Sequence, residues 1–245
     1  MVGLGTLANM AAIIVGAAVG LIIKEVLRQR FKDTIMNALG LAVLFIGISG
    51  SLQGLLVVTK DGIDTANIML MIISLALGAF IGELIDIEAK LERIGEFIKV
   101  SLKVKGEKGQ NFVEGFVSSS LLFCIGAMAI IGALKDGLTA DASTLYAKAV
   151  IDGTVSIFIA STLGIGVFFS AIPLGIYQGL ITLLAKYIEP YLNDRLILNI
   201  SFIGSVLIFG IGINMIFGKK IKCGNILPAV LIPILYELVR NLINR

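Results

Sequence analysis

The sequence predicts an all-α polytopic membrane protein with seven transmembrane helices, eight if one further segment spans, and with amphipathic helices at the interface. Three observations carry that expectation. Of the 245 residues, 57% are hydrophobic and only 15% charged, against about 45–50% and about 25% in soluble domains. Runs of the roughly 20 apolar residues needed to cross hydrocarbon recur along the chain. Between some of them, apolar residues return every three or four positions amid charges, which is the amphipathic-helix pattern.

Seven runs are long enough to span: about 3–22, 35–58, 65–85, 112–134, 147–169, 196–217 and 224–243. The first opens MVGLGTLANMAAIIVGAAVGLII with no basic residue ahead of its apolar stretch, so a retained helix is expected rather than a secretory signal. Segment 21–33 puts Ile23, Leu27 and Phe31 on one face beside Lys24, Arg28 and Lys32. Segment 86–104 sets Leu91, Ile94, Phe97 and Ile98 among Glu88, Lys90, Glu92, Arg93 and Glu96. Segment 174–189 repeats Ile176, Leu180, Leu183, Leu184 and Tyr187 beside Gln178, Thr182 and Lys186. Helices of this kind lie in the interface plane, but the third is apolar enough to span, which would make the eighth crossing.

The alternation of spanning and amphipathic segments gives a single membrane domain over 1–245. It is built of repeat-like units at about 1–63, 64–142 and 143–222, with a terminal helix at 223–245. NIMLMIISL from Asn67 resembles NILPAVLIP from Asn225, and VLFIGISG at 43–50 resembles VLIFGIGI at 206–213. Internal tandem repeats are common in transporter folds, although glycine-rich apolar helices resemble one another in any case. If the amphipathic segments share a side, that side holds most of the 20 basic residues. The positive-inside rule then places it in the cytoplasm with the N-terminus outside. The cluster Lys219, Lys220 and Lys222 fits the eight-helix version better.

Composition excludes several functions. With no histidine and two distant cysteines, Cys124 and Cys223, neither a metal site nor a disulfide framework is expected, and no cofactor is called for. A net charge of +3 does not suggest a nucleic-acid partner. An enzyme would need a nucleophile with its base. Ser156 or Ser161 near Asp152 is too little, so no catalytic residue is assigned.

Polar groups inside spans are costly and need a reason. Asn9, Asn67 and Asn225 fall near the starts of the first, third and seventh spans, and Asp152 takes the comparable place in the fifth. Either the four converge on one polar cluster or each caps a helix N-terminus. Capping is the better reading for Asn67 and Asn225, convergence for Asn9 and Asp152. Asp152 is the one carboxylate in a long apolar run, with Ser156 one turn on, Ser161 beyond, and Lys148 four residues before it at ion-pair spacing. It is a candidate cation or proton site or, alternatively, half of a structural pair. Gly164, Gly166 and Pro173 interrupt the following run and are read as a helix break, with Ser170 and Gln178 just beyond it able to complete a site. Glycine pairs at four-residue spacing, Gly16/Gly20, Gly78/Gly82 and Gly175/Gly179, suit close helix packing.

The opening GTLAN, the stretches SSSLLFCIGAMAIIGALKDGL and KAVIDGTVSIFIASTLGIGVFFSAIPLGIYQGLITLLA, and GNILPA near the end resemble the YqgA/YdfK-like bacterial membrane proteins. That family is defined by a domain of unknown function and is sometimes labelled as transporters. The resemblance covers nearly the whole chain. It implies a multi-pass protein of the bacterial cytoplasmic membrane and puts emphasis on Thr6, Asn9, Asp152, Gly153, Ser156, Ser161, Gly164, Gly166, Ser170, Gln178, Gly179, Asn225 and Pro228. It implies no established activity.

Two functions follow as expectations. One is a small transporter or channel for a cation or small polar solute around Asp152. The other is a non-transporting scaffold that forms a homo-oligomer through glycine-lined helices. In both the surrounding partner is the lipid bilayer.

Overall fold

The computed structural model describes residues 1–60, 62–104, 111–189 and 193–243. Lys105, Lys108 and Arg245, three of the basic residues that the charge argument counts on the side of the amphipathic segments, lie outside the described residues. The helices are α1 (Leu4–Val26), α2 (Gln29–Leu55), α3 (Ile68–Ile85), α4 (Ile87–Ser101), α5 (Phe112–Cys124), α6 (Ala127–Thr139), α7 (Ser143–Leu163), α8 (Gly166–Phe169), α9 (Ala171–Ile188), α10 (Asp194–Phe217), α11 (Cys223–Ile226) and α12 (Ile232–Ile243). A 3₁₀ turn, Leu227–Leu231, joins the last two. One antiparallel hairpin, β1 (Leu56–Thr59) and β2 (Gly62–Thr65), pairs Leu56 with Thr65 and Thr59 with Gly62. It is the one departure from an all-helical chain among the described residues.

Six helical segments are long and apolar enough to cross a membrane, and seven if α5 and α6, bent by 62°, form one broken span. Residues Cys223–Glu237 add a shorter apolar segment. Two expectations change. Segment 21–33 is no separate amphipathic helix, because α1 continues to Val26 and α2 begins at Gln29. Segment 174–189 belongs to the 22-residue stretch Gly166–Tyr187, long and apolar enough to cross a membrane, and its Gln178 and Thr182 are buried rather than facing water. Only 86–104 behaves as expected: α4 carries Ile94, Phe97 and Val100 exposed along one side, as an interfacial helix would.

The chain forms two compact units, both discontinuous in sequence. The first comprises Met1–Leu39, Ala89–Cys124 and Met128–Tyr191; the second comprises Gly40–Glu88, Ile125–Ala127 and Leu192–Arg245. Their boundaries cut across the repeat-like divisions at 63, 142 and 222.

In the first unit α1 and α7 run parallel, with Gly5 against Leu145, Gly16 against Gly153, and Gly20 against Ile157 and Ala160. A side chain on Gly16 would run into the Gly153 carbonyl, so the backbones meet as closely as small-residue interfaces in lipid allow. Helix α9 runs the opposite way. Thr182 and Ala185, near its end, lie against Gly137 and Ala133 of α6, while Gly175, near its start, lies against Met10. The end of α6 is fixed at the start of α1, because Asp136 accepts hydrogen bonds from the backbone N–H groups of Gly3 (3.1 Å) and Gly5 (3.0 Å). Those donors would otherwise be orphans of a helix start. Ile13, Phe123, Ala171 and Leu174 form one apolar core beside this arrangement, and Ala17, Ile159, Ala160, Leu163 and Val167 another.

In the second unit the latter half of α2 lies antiparallel to α10. Gly40, Gly47, Gly50 and Gly54 meet Ile216, Phe209, Ser205 and Phe202 in turn. Helix α3 presents Gly78 to Ala229 and Gly82 to Asn225. Asn193 caps α10 by accepting from the Leu196 N–H at 2.8 Å.

Candidate functional site

The site lies in the first unit, where α7 offers Lys148 and Asp152, α1 offers Asn9 and α9 offers Gln178. Asp152 is nine residues into α7, about 14 Å along the axis at 1.5 Å per residue. That is close to the middle of this 21-residue helix. All four side chains are buried, Asn9 and Gln178 completely.

Two donors meet on one carboxylate oxygen. Lys148 Nζ donates to Asp152 Oδ2 at 2.5 Å and Asn9 Nδ2 donates to the same atom at 3.0 Å. The Asn9 amide also reaches Gln178 Oε1 at 3.5 Å. Both bonds to the acid use Oδ2, so the carboxylate is held from one side. The glycine contacts explain why Asn9 reaches it: with α1 and α7 this close, a short amide spans the gap. Two atoms of the cluster itself, Asn9 Oδ1 and Gln178 Nε2, are buried without a partner among the described residues, as is Thr6 Oγ1 one turn earlier on α1. Leaving such groups unbonded in an apolar interior costs about 1–3 kcal/mol each. Cys124 stands within electrostatic reach of Lys148 and Asp152.

The other sequence candidates fall elsewhere. Ser156 donates to the Asp152 carbonyl at 2.7 Å, Ser161 to the Phe158 carbonyl at 2.7 Å and Ser170 to the Val167 carbonyl at 2.6 Å. These hydroxyls are satisfied within their own helical turns. The break predicted from Gly164, Gly166 and Pro173 is present: α7 stops at Leu163, Gly164 takes φ 87°, and Pro173 enters the first turn of α9. However, Gly164 is twelve residues beyond Asp152, about 18 Å along the helix. The break is occupied by protein, with Gly166 against the Phe112 carbonyl and Lys24 Nζ over Gly164. It forms no part of the acid's surroundings.

Asn67 and Asn225 belong to the second unit, and each has its own partners, so the four-residue convergence is replaced by a cluster of Asn9, Asp152, Lys148 and Gln178. Asn67 stands before α3 in the left-handed region (φ 60°) without capping it by its side chain, which donates instead to the Gly54 carbonyl at 3.0 Å. Asn225 does cap a helix, but a different one. Its Oδ1 accepts from the Glu88 N–H of α4 at 2.7 Å, and Glu88 in return accepts from the Gly224 N–H at 3.0 Å. Its amide donates to Glu83 at 2.7 Å. Sequence reading missed Asp136 and Glu88, whose carboxylates bind backbone N–H groups far away in the chain. The small-residue runs around their partners, GLG at 3–5 and CGN at 223–225, were the available signal. Among the described residues no group of three or more His, Cys, Asp or Glu side chains could hold a metal ion.

The chain is similar over most of its length to two proteins of named organisms. It is 34% identical over 230 residues to the uncharacterized membrane protein YdfK of Bacillus subtilis (strain 168), covering 94% of this chain and 93% of that protein. It is 30% identical over 233 residues to the uncharacterized protein YqgA of Escherichia coli (strain K12), covering 94% of each. No solved structure matches. The family described as protein of unknown function (DUF554) matches residues 4–238. A helical membrane protein matched from its first helix into its last, this chain belongs to the DUF554 family.

Proposed function

We propose that this protein is a small transporter or channel of the bacterial cytoplasmic membrane, taking a cation or a small polar solute at Asp152, without cofactor and without catalysis of a covalent reaction. The observation that carries the proposal is the buried Lys148–Asp152 pair near the middle of α7, joined by Asn9 and beside the unbonded Asn9 Oδ1 and Gln178 Nε2. A buried ion pair is a poor way to stabilise a fold, because desolvation consumes most of its attraction. Ionisable groups inside spans more often mark ion paths. Lys148 serves as the resting counter-ion. An arriving cation or proton takes over the Asp152 carboxylate, releases the ammonium and draws on the free Asn9 Oδ1. Gln178 Nε2 and Thr6 Oγ1 supply donors to a polar solute. With α9 crossing, the cluster at 219–222 falls on the cytoplasmic side together with α4, in keeping with the positive-inside rule.

The test is flux into proteoliposomes driven in turn by H⁺, Na⁺ and K⁺ gradients. Uptake that collapses in Asp152→Asn, while Glu114→Gln on α5 transports normally, supports the proposal. Uptake unchanged in Asp152→Asn removes Asp152 from the path.

One observation favours the scaffold reading. Gly179 has nothing near the position of a side chain, which leaves room for another helix. Gly16, Gly20, Gly78 and Gly82, by contrast, are already used inside the two units. Disulfide crosslinking in native membranes from a cysteine at 179 reads this directly, and capture of monomer alone rejects a homo-oligomer through that face.

A further inference from the structure

A second binding feature lies in the second unit, apart from the Asp152 cluster and independent of the transport reading. A cleft of about 590 Å³ opens between α3, α10 and α12, within the roughly 300–1,000 Å³ typical of ligand sites. Its walls are apolar: Met69, Ile73 and Leu77 of α3 face Ile232 and Leu235 of α12. Its polar groups gather at one end. Arg195, in the first turn of α10, is exposed there and is the one charged lining residue among those described; Asn67 stands at the start of α3. Asn199, one turn deeper than Arg195, is 5% exposed and lines the cleft, with no hydrogen bond to its side chain from the described residues.

The dimensions identify the occupant. From Ile68 to Leu77 the wall descends nine residues, about 14 Å, which is one leaflet of a hydrocarbon layer about 30 Å thick. A cation at the mouth, a buried amide just beneath it and an apolar trough one leaflet deep match, in order, the phosphate, the ester carbonyls and the acyl chain of a phospholipid. The geometry points to a bound anionic glycerophospholipid, its phosphate on Arg195, its ester region at Asn199 and one acyl chain along α3 between Ile73 and Leu235. Tyr236, also on the lining, suits the interfacial level, where amphipathic rings gather.

The experiment is native mass spectrometry of the intact protein released from nanodiscs holding equal phosphatidylglycerol and phosphatidylcholine. Wild type is expected to retain one phosphatidylglycerol about fivefold over phosphatidylcholine, the value of roughly 1 kcal/mol per basic residue at an anionic surface. Arg195→Gln should bring that ratio close to one while lipid is still retained, and Lys186→Gln, an exposed charge on α9, should leave it unchanged. Ile73→Trp fills the trough and should lower retention of both lipids about tenfold, as overpacking of 1–3 kcal/mol implies. Its circular dichroism should match wild type, because Ile73 is 45% exposed. Equal retention of the two lipids by wild type, an unchanged ratio in Arg195→Gln, or full retention in folded Ile73→Trp each overturns the inference.

Discussion

Breaking the Lys148–Asp152 pair from either side should destabilise the protein far more than removing both partners together. Lys148→Met leaves a carboxylate in the bundle with only the Asn9 amide on it. Asp152→Leu strands the ammonium and that amide at once, so it should be the worse of the two. One orphaned partner of a buried pair costs about 3–5 kcal/mol. For a chain of this size each kcal/mol shifts Tm by about 2–4 °C, so single substitutions should lower Tm by about 6–20 °C. The double variant Lys148→Met/Asp152→Leu removes both charges and leaves the Asn9 amide with only its long 3.5 Å contact to Gln178, a cost of at most about 1–3 kcal/mol, so it should recover most of the loss. Thermal unfolding of the four proteins in one detergent, followed by far-ultraviolet circular dichroism, closes the cycle. A double variant falling as far as the two singles added together would refute the reasoning, since the charges would then contribute independently of each other.

Three further outcomes are expected. Gly16→Val should separate α1 from α7 against the Gly153 carbonyl and destabilise by at least about 1–3 kcal/mol, whereas Gly179→Val should stay within about 0.5 kcal/mol of wild type; equal Tm values for the two in detergent would count against the packing. In a Cys223→Ala background Cys124 is the sole thiol, so a transported cation should slow its labelling by a small maleimide, and labelling indifferent to every cation tested would detach it from the site. Asp141, ahead of α7, has its carboxyl held below the ordinary carboxylate range by Ser143, through the side-chain hydroxyl first and then the backbone N–H. A lowered folded-state pKa stabilises fully above the unfolded value of 3.8 and is lost as pH falls through the folded value. Asp141→Asn should therefore lower Tm slightly at neutral pH, where that stabilisation is fully present, and meet the wild-type curve at acid pH; a Tm-against-pH curve unchanged at neutral pH would count against it.

The spans were legible because hydrocarbon length and apolar composition leave little choice. Five of the seven expected runs meet α1, α2, α3, α7 and α10 with only their ends displaced, and a sixth is split into α5 and α6 by a 62° bend. Asp152 and its pairing with Lys148 were legible for a similar reason, since charges four residues apart on one helix must lie on the same side of it. Partners far away in sequence were harder to read. Asn9 meets Asp152 only because glycines let α1 and α7 touch, and Asn225 serves α4 rather than its own helix. No spacing within either segment records those encounters. Segment 174–189 was ambiguous because Gln178 and Thr182, which look like a solvent-facing stripe, are buried, one reaching Asn9 and the other the Ala133 carbonyl.

The hydrogen bond between Asn9 and Asp152 closes 143 residues of sequence. At a synthesis rate of about 5–20 residues per second, the first helix waits on the order of ten seconds for its parallel neighbour to leave the ribosome. During that interval its notched face and its amide are in contact with lipid or with the insertion machinery. Assembly of the N-terminal segment is thus a late event, and a stalled or truncated nascent chain ending before α7 would leave that helix without the neighbour its glycines are shaped for.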